Sequence, residues 1–374
     1  MDQSRRVAVD AMGGDHAPRA AVEGAVRAAA EYGVAVLLVG DEKAVRLELG
    51  RLDGDGLPLV EVVHAPETVA MDESPVSALR QKQGSSIHLA CEQVRAGNAG
   101  AVVSAGNSGA VMAVAMSVLG RLPGVDRPGI ITSIPTSRGR ACLLDAGANV
   151  ECKPLHLVQF AIMAEIYARV VRGVAEPRVG LLSNGEEESK GTELTRAAHA
   201  VLSKLPLRYV GYIEGRDLNS GAVDVVVTDG FTGNVALKTM EGFAGCFQDV
   251  MRGWFENGLR GKLAYLLLRK SVAALRAHVD YAEQGGAPLL GVKGVTIIAH
   301  GSSTPKAIKN AVRMASEALA GDMNRKIIEE IGRMSEIPAL AAEMRRGRRF
   351  WRQLRDRFRA SHEGRDDPPD EGPT

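Results

Sequence analysis

Four stretches of the chain bring glycine together with small polar residues: DAMGGDHAP (10–18), SAGNSGA (104–110), TDGFTGN (228–234) and HGSSTP (300–305). Each follows an oily run and leads into a helical pattern. Strand carboxyl ends in open α/β sheets are where ligands collect, and the helix that follows presents unpaired backbone N–H groups suited to an anion. Glycine allows close backbone approach, while Ser, Thr and Asn add hydrogen bonds, and His16 could bind the anion, shuttle a proton or only fix its loop. The candidate anion-binding residues are therefore Gly13, Gly14 and His16, then Ser104, Gly106, Asn107, Ser108 and Gly109, then His300 and Ser302. The plainer alternative, that these glycines only permit tight strand-to-helix turns, stays open. None of the loops matches a dinucleotide fingerprint or a P-loop, so the expected ligand is smaller than a nucleotide. A fifth stretch, SNGEEESKGTEL (183–194), carries three glutamates and then Lys190, a cation able to offset phosphate charge.

Stepping outward, apolar runs recur near Val7, Val34, Ala101, Gly129, Ala141, Val179, Val223 and Val295, continuous rather than alternating, as in strands buried on both faces. Helical patterns with apolar residues every three to four positions lie between many of them. The alternation predicts an α/β protein with a largely parallel, doubly covered sheet. Residues 1–331 are expected to form one catalytic domain, with 257–290 as a protruding helical segment. An Arg-rich helical extension over 332–360 and a disordered tail over 361–374 are expected to follow.

A net charge of +1 over 374 residues gives no basis for a nucleic-acid partner. The cysteines Cys91, Cys142, Cys152 and Cys246 lack metal-ligand spacing and are expected as reduced core thiols. No metal or redox cofactor is expected. Nothing at the N-terminus has the pattern of a secretory signal, and the longest uncharged apolar stretch, 110–120, is well short of the roughly 20 residues of a membrane span.

Six motifs in order, DAMGGDHAP, SAGNSGA, LLDAGAN, SNGEEESKG, DGFTGNVALKTMEG and GVKGVTIIAHGSS, resemble those of the phosphate acyltransferases of the PlsX type across 7–331. The resemblance implies a Rossmann-like three-layer α/β/α fold, similar to isocitrate and isopropylmalate dehydrogenases, in a homodimer. It implies transfer of a fatty acyl group from acyl carrier protein to inorganic phosphate, the acyl phosphate then passing to a membrane glycerol-3-phosphate acyltransferase. Carried over by position, it makes Lys190 and Asn234 catalytic. Two positions depart from the common pattern: Ser183-Asn184-Gly185 where many members have Asn-Ile-Gly, and Thr192 where Asn is frequent.

That chemistry fits the residues. Phosphate is its own nucleophile, so the protein must align phosphate with the thioester and stabilise an oxyanion. Direct attack is the expected mechanism, Lys190 offsetting phosphate charge and Asn234 meeting the carbonyl; a covalent acyl-enzyme is the alternative. A decarboxylating dehydrogenase on a related fold would need a nucleotide site and a carboxylate cluster. A non-enzymatic membrane scaffold is the other competing reading.

Between 257 and 279 there is no acidic residue, and Arg260, Lys262, Arg269, Lys270 and Arg276 surround the run LAYLLL. As a helix it would bury Ala264, Leu268, Val272 and Leu275 and leave Leu263, Tyr265, Leu266 and Leu267 for an anionic membrane surface. A dimer-interface helix is the alternative. The segment RRGRRFWRQLRDRFRA (345–360) is a second candidate anchor or a solvated terminal helix. The expected location is cytoplasmic, peripherally associated with the membrane.

Overall fold

The computed structural model describes residues 3–54, 56–256, 258–279 and 285–345. The first part runs β1 (Val7–Asp10), α1 (Arg19–Tyr32), β2 (Val36–Gly40), α2 (Glu42–Leu49), β3 (Val60–His64), α3 (Pro75–Gln81), α4 (Ser86–Arg95), β4 (Ala101–Ser104) and α5 (Ser108–Val118). The second runs β5 (Gly129–Thr136), β6 (Gly139–Leu144), α6 (Pro154–Val170), β7 (Val179–Leu182), α7 (Glu193–Leu202), β8 (Tyr209–Ile213) and β9 (Val225–Val227). There follow α8 (Gly230–Glu256), α9 (Gly258–Val279), β10 (Ala287–Leu290), β11 (Val295–Ile298), α10 (Pro305–Ala320) and α11 (Met323–Ser335).

All eleven strands join one sheet in the order β3-β2-β1-β4-β11-β10-β5-β6-β9-β7-β8. The central strands are buried on both sides, which is why they read as unbroken Val, Leu and Ile runs. Successive residues serve opposite faces. Val7, Val9, Leu38, Val103, Leu144, Val227 and Ile297 share a core with α1, α6, α7, α10 and α11. Ala8, Val39, Val102 and Ile298 pack with α4 and α5, while Leu143 and Val226 pack with Ala236, Leu237 and Met240 of α8. These are the three layers expected from the sequence.

The parallel expectation holds except at the centre. Strand β10 is antiparallel to both β11 and β5, and β5 to β6. Three strands were absent from the apolar runs, and each has a physical reason. The edge strands β3 (VEVVH) and β8 (YVGYI) are only partly covered, so charge and glycine are tolerated there. Strand β10 (APLL) is four residues long and contains a proline.

Two boundaries need correction. The protrusion does not extend to 290, because Ala287–Leu290 is a sheet strand; it begins earlier, since α8 buries only Gly230 and Gly233 along its 27 residues, roughly 40 Å at 1.5 Å per residue. The catalytic domain does not stop at 331, which falls inside α11, and Met334 and Leu340 are fully buried in the main core. Residues 338–345 are helical; the rest of the Arg-rich segment and the 361–374 tail lie outside the described residues.

Helix α1 lies against α10 through Gly24, where a Cβ would stand 2.6 Å from Ile308 Cβ and 2.7 Å from the Pro305 carbonyl oxygen. Alanine would gain about 1 kcal/mol in helix propensity, but forcing this contact apart costs typically 1–3 kcal/mol. Gly24→Ala should therefore lower stability on balance in urea denaturation; an unchanged or raised midpoint would show the helices free to separate.

Candidate active site

The carboxyl ends of β1, β4 and β11 are neighbours, and their loops are tied together by a buried carboxylate. Asp10 accepts the Ser104 hydroxyl at 2.6 Å and the Met12 N–H at 3.1 Å, and Ser104 Oγ in turn accepts the Gly106 N–H at 3.0 Å. Burial pushes the Asp10 carboxyl up from its ordinary value, against hydrogen bonds from Ser104, Ser86, Met12 and Gly13 that favour the charged form. Gly13 and Gly14 are required for loop-to-loop approach: a Cβ on Gly13 would lie 2.7 Å from the Gly106 nitrogen, and Gly14, at φ +99°, would meet the Gly301 carbonyl at 2.9 Å. Asp15 N–H donates to that same carbonyl at 2.8 Å. At these two glycines the turn-packing role accounts for what the structure shows.

Asn107 is fully employed. Its oxygen caps α5 by accepting the Ala110 N–H at 3.0 Å, and its amide donates to the Met71 and Glu73 carbonyls. Ser108 and Gly109 form the first turn of α5. His16 is exposed, and His300 pairs through Nδ1 with Ser302 Oγ at 2.8 Å. Next to Thr304, the cap of α10, Ser303 is buried with its Oγ unpartnered among the described residues, a residue the sequence reading passed over.

A second cluster forms at the carboxyl ends of β6, β9 and β7. Asp145 is fully buried. Its Oδ1 accepts N–H groups of Ile130, Gly147 and Ala148 at 3.1, 3.1 and 3.0 Å; Oδ2 accepts the Asn149 N–H at 2.7 Å and its side-chain amide at 2.8 Å. Helix α8 starts directly against this loop: Gly230 N–H donates to the Asn149 carbonyl at 2.8 Å, and a Cβ on Gly233 would come within 2.0 Å of the Asp145 carbonyl oxygen. Asn234 follows in the second turn, exposed, beside Gly147, its carboxamide without a hydrogen-bond partner among the described residues. TDGFTGN is thus mostly helix rather than loop.

Lys190 closes the loop after β7. Its stem lies over Gly185, and its ammonium, exposed, forms no ion pair among the described residues. The unusual Asn184 clasps this loop by accepting the Gly191 N–H at 2.8 Å, and Thr192 caps α7. Glu186, Glu187 and Glu188 are exposed, as a solvated acidic turn would be.

Because β10 and the β5–β6 pair reverse direction, the two clusters stand at opposite edges of the sheet rather than round one strand-end crevice. They nevertheless border the same face: α5 flanks it on one side and the base of α8 on the other, with Ile130 and Thr132 of β5 half-buried between.

Asp10 and Asp145 are the anchors of the two loop clusters that sequence reasoning missed. A signal existed: both strands end in Asp-Ala and then a glycine-containing turn, a pattern in which the carboxylate bonds to N–H groups two to four residues on. The cysteines need correcting too. Cys91 and Cys142 are core thiols, with burial pushing Cys142 up to about 12, but Cys246 is exposed on α8, where the helix leaves the body of the protein. Among the described residues no group of three or more His, Cys, Asp or Glu is arranged to hold a metal ion.

This architecture defines the class, a Rossmann-like α/β/α protein of the phosphotransacetylase fold. The EutD phosphotransacetylase from Staphylococcus aureus superposes with a TM-score of 0.58 at 16% identity, over 85% of this chain and 95% of that one. A phosphotransacetylase from Streptococcus pyogenes gives 0.54 at 16%, over 86% and 95%. Residues 5–326 match the family described as fatty acid synthesis protein, and the chain belongs to that family. It is 55% identical over 326 residues to the phosphate acyltransferase of Citrifermentans bemidjiense, covering 87% of this chain and 92% of that one. Against the phosphate acyltransferase of Geobacter sulfurreducens it is 53% identical, covering 87% and 94%. The chain is an acyltransferase, and the resemblance seen in its motifs is borne out.

Ser104→Ala would leave Asp10 short of a donor, at a cost of roughly 1–3 kcal/mol. The folded pKa of Asp10 lies above its unfolded value of 3.8, so its ionisation lowers stability as pH rises through that interval and has no effect below it. Removing the serine donor raises the folded pKa further. The Ser104→Ala deficit in urea denaturation should therefore widen once pH passes the folded pKa of Asp10; a deficit that narrows as pH rises would break the Asp10–Ser104 link.

Proposed function

We propose that the protein transfers a fatty acyl group from an acyl carrier protein thioester to inorganic phosphate, giving an acyl phosphate for phospholipid synthesis. The observation that carries this reading is the pair of groups unengaged among the described residues, the Asn234 carboxamide and the Lys190 ammonium, at the ends of the adjacent strands β9 and β7. A phosphate oxygen attacks the thioester carbonyl carbon, and the C–S bond breaks as the carrier thiol leaves with a proton. Asn234 donates to the developing oxyanion. Lys190 offsets the phosphate charge. The first turn of α5 and the loops carrying His16, His300 and Ser302 supply further contacts to the phosphate, and no metal is needed for this attack.

Peripheral membrane attachment belongs to the same reading. Leu263, Tyr265, Leu266 and Leu267 are exposed on α9, Leu267 at 76%, beside the exposed cations Arg260, Lys262, Arg269 and Lys270. Leu268, expected in a buried stripe, is also 48% exposed, which enlarges the oily surface; the side chain of Leu275 lies outside the described residues. No described helix is long and apolar enough to cross a membrane. An anionic surface, an acidic carrier protein and a second copy of the chain all suit this segment, and a membrane glycerol-3-phosphate acyltransferase would receive the product there.

Purified protein given acyl carrier protein thioester and phosphate should yield hydroxylamine-trappable acyl phosphate, and Asn234→Ala should lower turnover about 100- to 1000-fold. Absence of a phosphate-dependent hydroxamate, or full turnover in the folded variant, would overturn the assignment. In flotation with anionic vesicles, Leu266→Glu should lose lipid binding; equal flotation of both proteins would remove the membrane role.

A further inference from the structure

We infer that Asp145 is a positioning residue for the reaction, holding Asn234 at its working place through the 146–149 loop; this rests on the catalytic reading of Asn234. The five donors that converge on Asp145 come from both sides of the loop. Ile130 N–H anchors the carboxylate to β5, and the N–H groups of Gly147, Ala148 and Asn149, with the Asn149 amide, wrap the loop round it. The same asparagine amide also donates to the Pro128 carbonyl at 2.7 Å, so the loop is tied to the segment entering β5 as well.

The wrapped loop is what α8 rests on. A Cβ on Gly230 would stand 2.8 Å from Asp145 Oδ2 and 2.7 Å from the Asn149 carbonyl oxygen, and Gly233 leaves no room for a methyl group above the Asp145 carbonyl. Asn234 comes one residue after that contact, and the Cβ position of Gly147 is 3.5 Å from Asn234 Cβ. Movement of the loop is passed to the start of α8, and so to Asn234, through the Gly230–Asn149 hydrogen bond and the close packing of Gly233 on Asp145. Asp145 touches no substrate in this scheme; it acts through the loop, and a misplacement of about 1 Å at a catalytic group can cost on the order of 100-fold in rate.

Asp145→Asn keeps the shape and removes the fit, because the new NH2 group must face N–H donors whichever way the amide turns. The expected result is a folded protein whose kcat falls by up to about 100-fold while its KM for phosphate stays close to the parent value. The deciding measurement is a double-mutant cycle with Asn234→Ala. If Asp145 acts through Asn234, adding Asp145→Asn to Asn234→Ala lowers kcat no further. Should the two losses multiply, or should Asp145→Asn reduce only the melting temperature with kcat per folded molecule unchanged, the inference is wrong. Full activity of Asn234→Ala alone would instead sink the proposed function on which it stands. Were Asp145→Asn not to fold, Asn149→Ala, which removes one of the five donors, reads the same cycle with a smaller fall in kcat.

Discussion

A carboxylate sealed at the end of a buried strand must find its hydrogen bonds in the chain that follows, and this constraint shapes the protein at two places. An unpaired buried charge is too costly to keep, whereas one surrounded by N–H donors organises everything that supplies them. Asp10 draws in Met12, Gly13 and Ser104, and so fixes the loops of β1 and β4 against each other. Asp145 does the same for 146–149 and, through Gly230 and Gly233, sets where α8 leaves the sheet. The glycines are therefore consequences of these anchors: each removes a side chain that would otherwise hold two anchored segments apart.

Strand direction explains why two anchors are needed. With every strand parallel, all the polar loops would gather along one edge. The antiparallel β10 and the β5–β6 pair turn the second half of the sheet over, sending the Asp145 loop to the opposite edge. What unites the two halves is the face they share. Helix α5 and the base of α8 stand on it with β5 between them, a width of sheet suited to a two-part substrate with an anion at one side and a carbonyl at the other. On the proposed reaction the phosphate oxygen and the carbonyl carbon must still meet at about 3–3.5 Å, so the two sides would supply different neighbours to one shared point.

Much of this was legible in the chain itself. The buried strands announced themselves through VAVD, VLLVG, AVVS and VTII, since a strand covered on both faces has no position for a polar residue. The edge strands did not: Glu61 in β3 and Gly211 in β8 are affordable only where one side meets solvent, and they dilute the signal. Within the site, composition located the polar loops but not the direction of the strands feeding them, because a motif such as TDGFTGN reads alike at either edge. Nor could it separate glycines that bind from glycines that pack. Gly13, a candidate phosphate ligand, is also required against Gly106, a packing role that depends on a neighbouring loop some ninety residues away in sequence. Asp145 stood in a quoted motif without a role, since nothing in LLDAGAN tells that its carboxylate is sealed from water.

On the proposed reaction, the position of Asn234 on α8 links the chemistry to the apolar surface. Phe231 and Val235 flank it and are exposed, and Phe243, Phe247 and Trp254 continue the oily residues along the same helix towards α9. Each such side chain is worth roughly 1.5–3 kcal/mol when fully covered, so a helix carrying this many in water is incomplete by itself. On the proposed reaction the substrate has one end that wants cations and amides and another that wants hydrocarbon. A helix that starts at the anchored polar loop and runs outward along exposed phenylalanines offers both in sequence. On that reading the Asp145 anchor fixes Asn234 where the apolar surface and the reacting carbonyl can be served together.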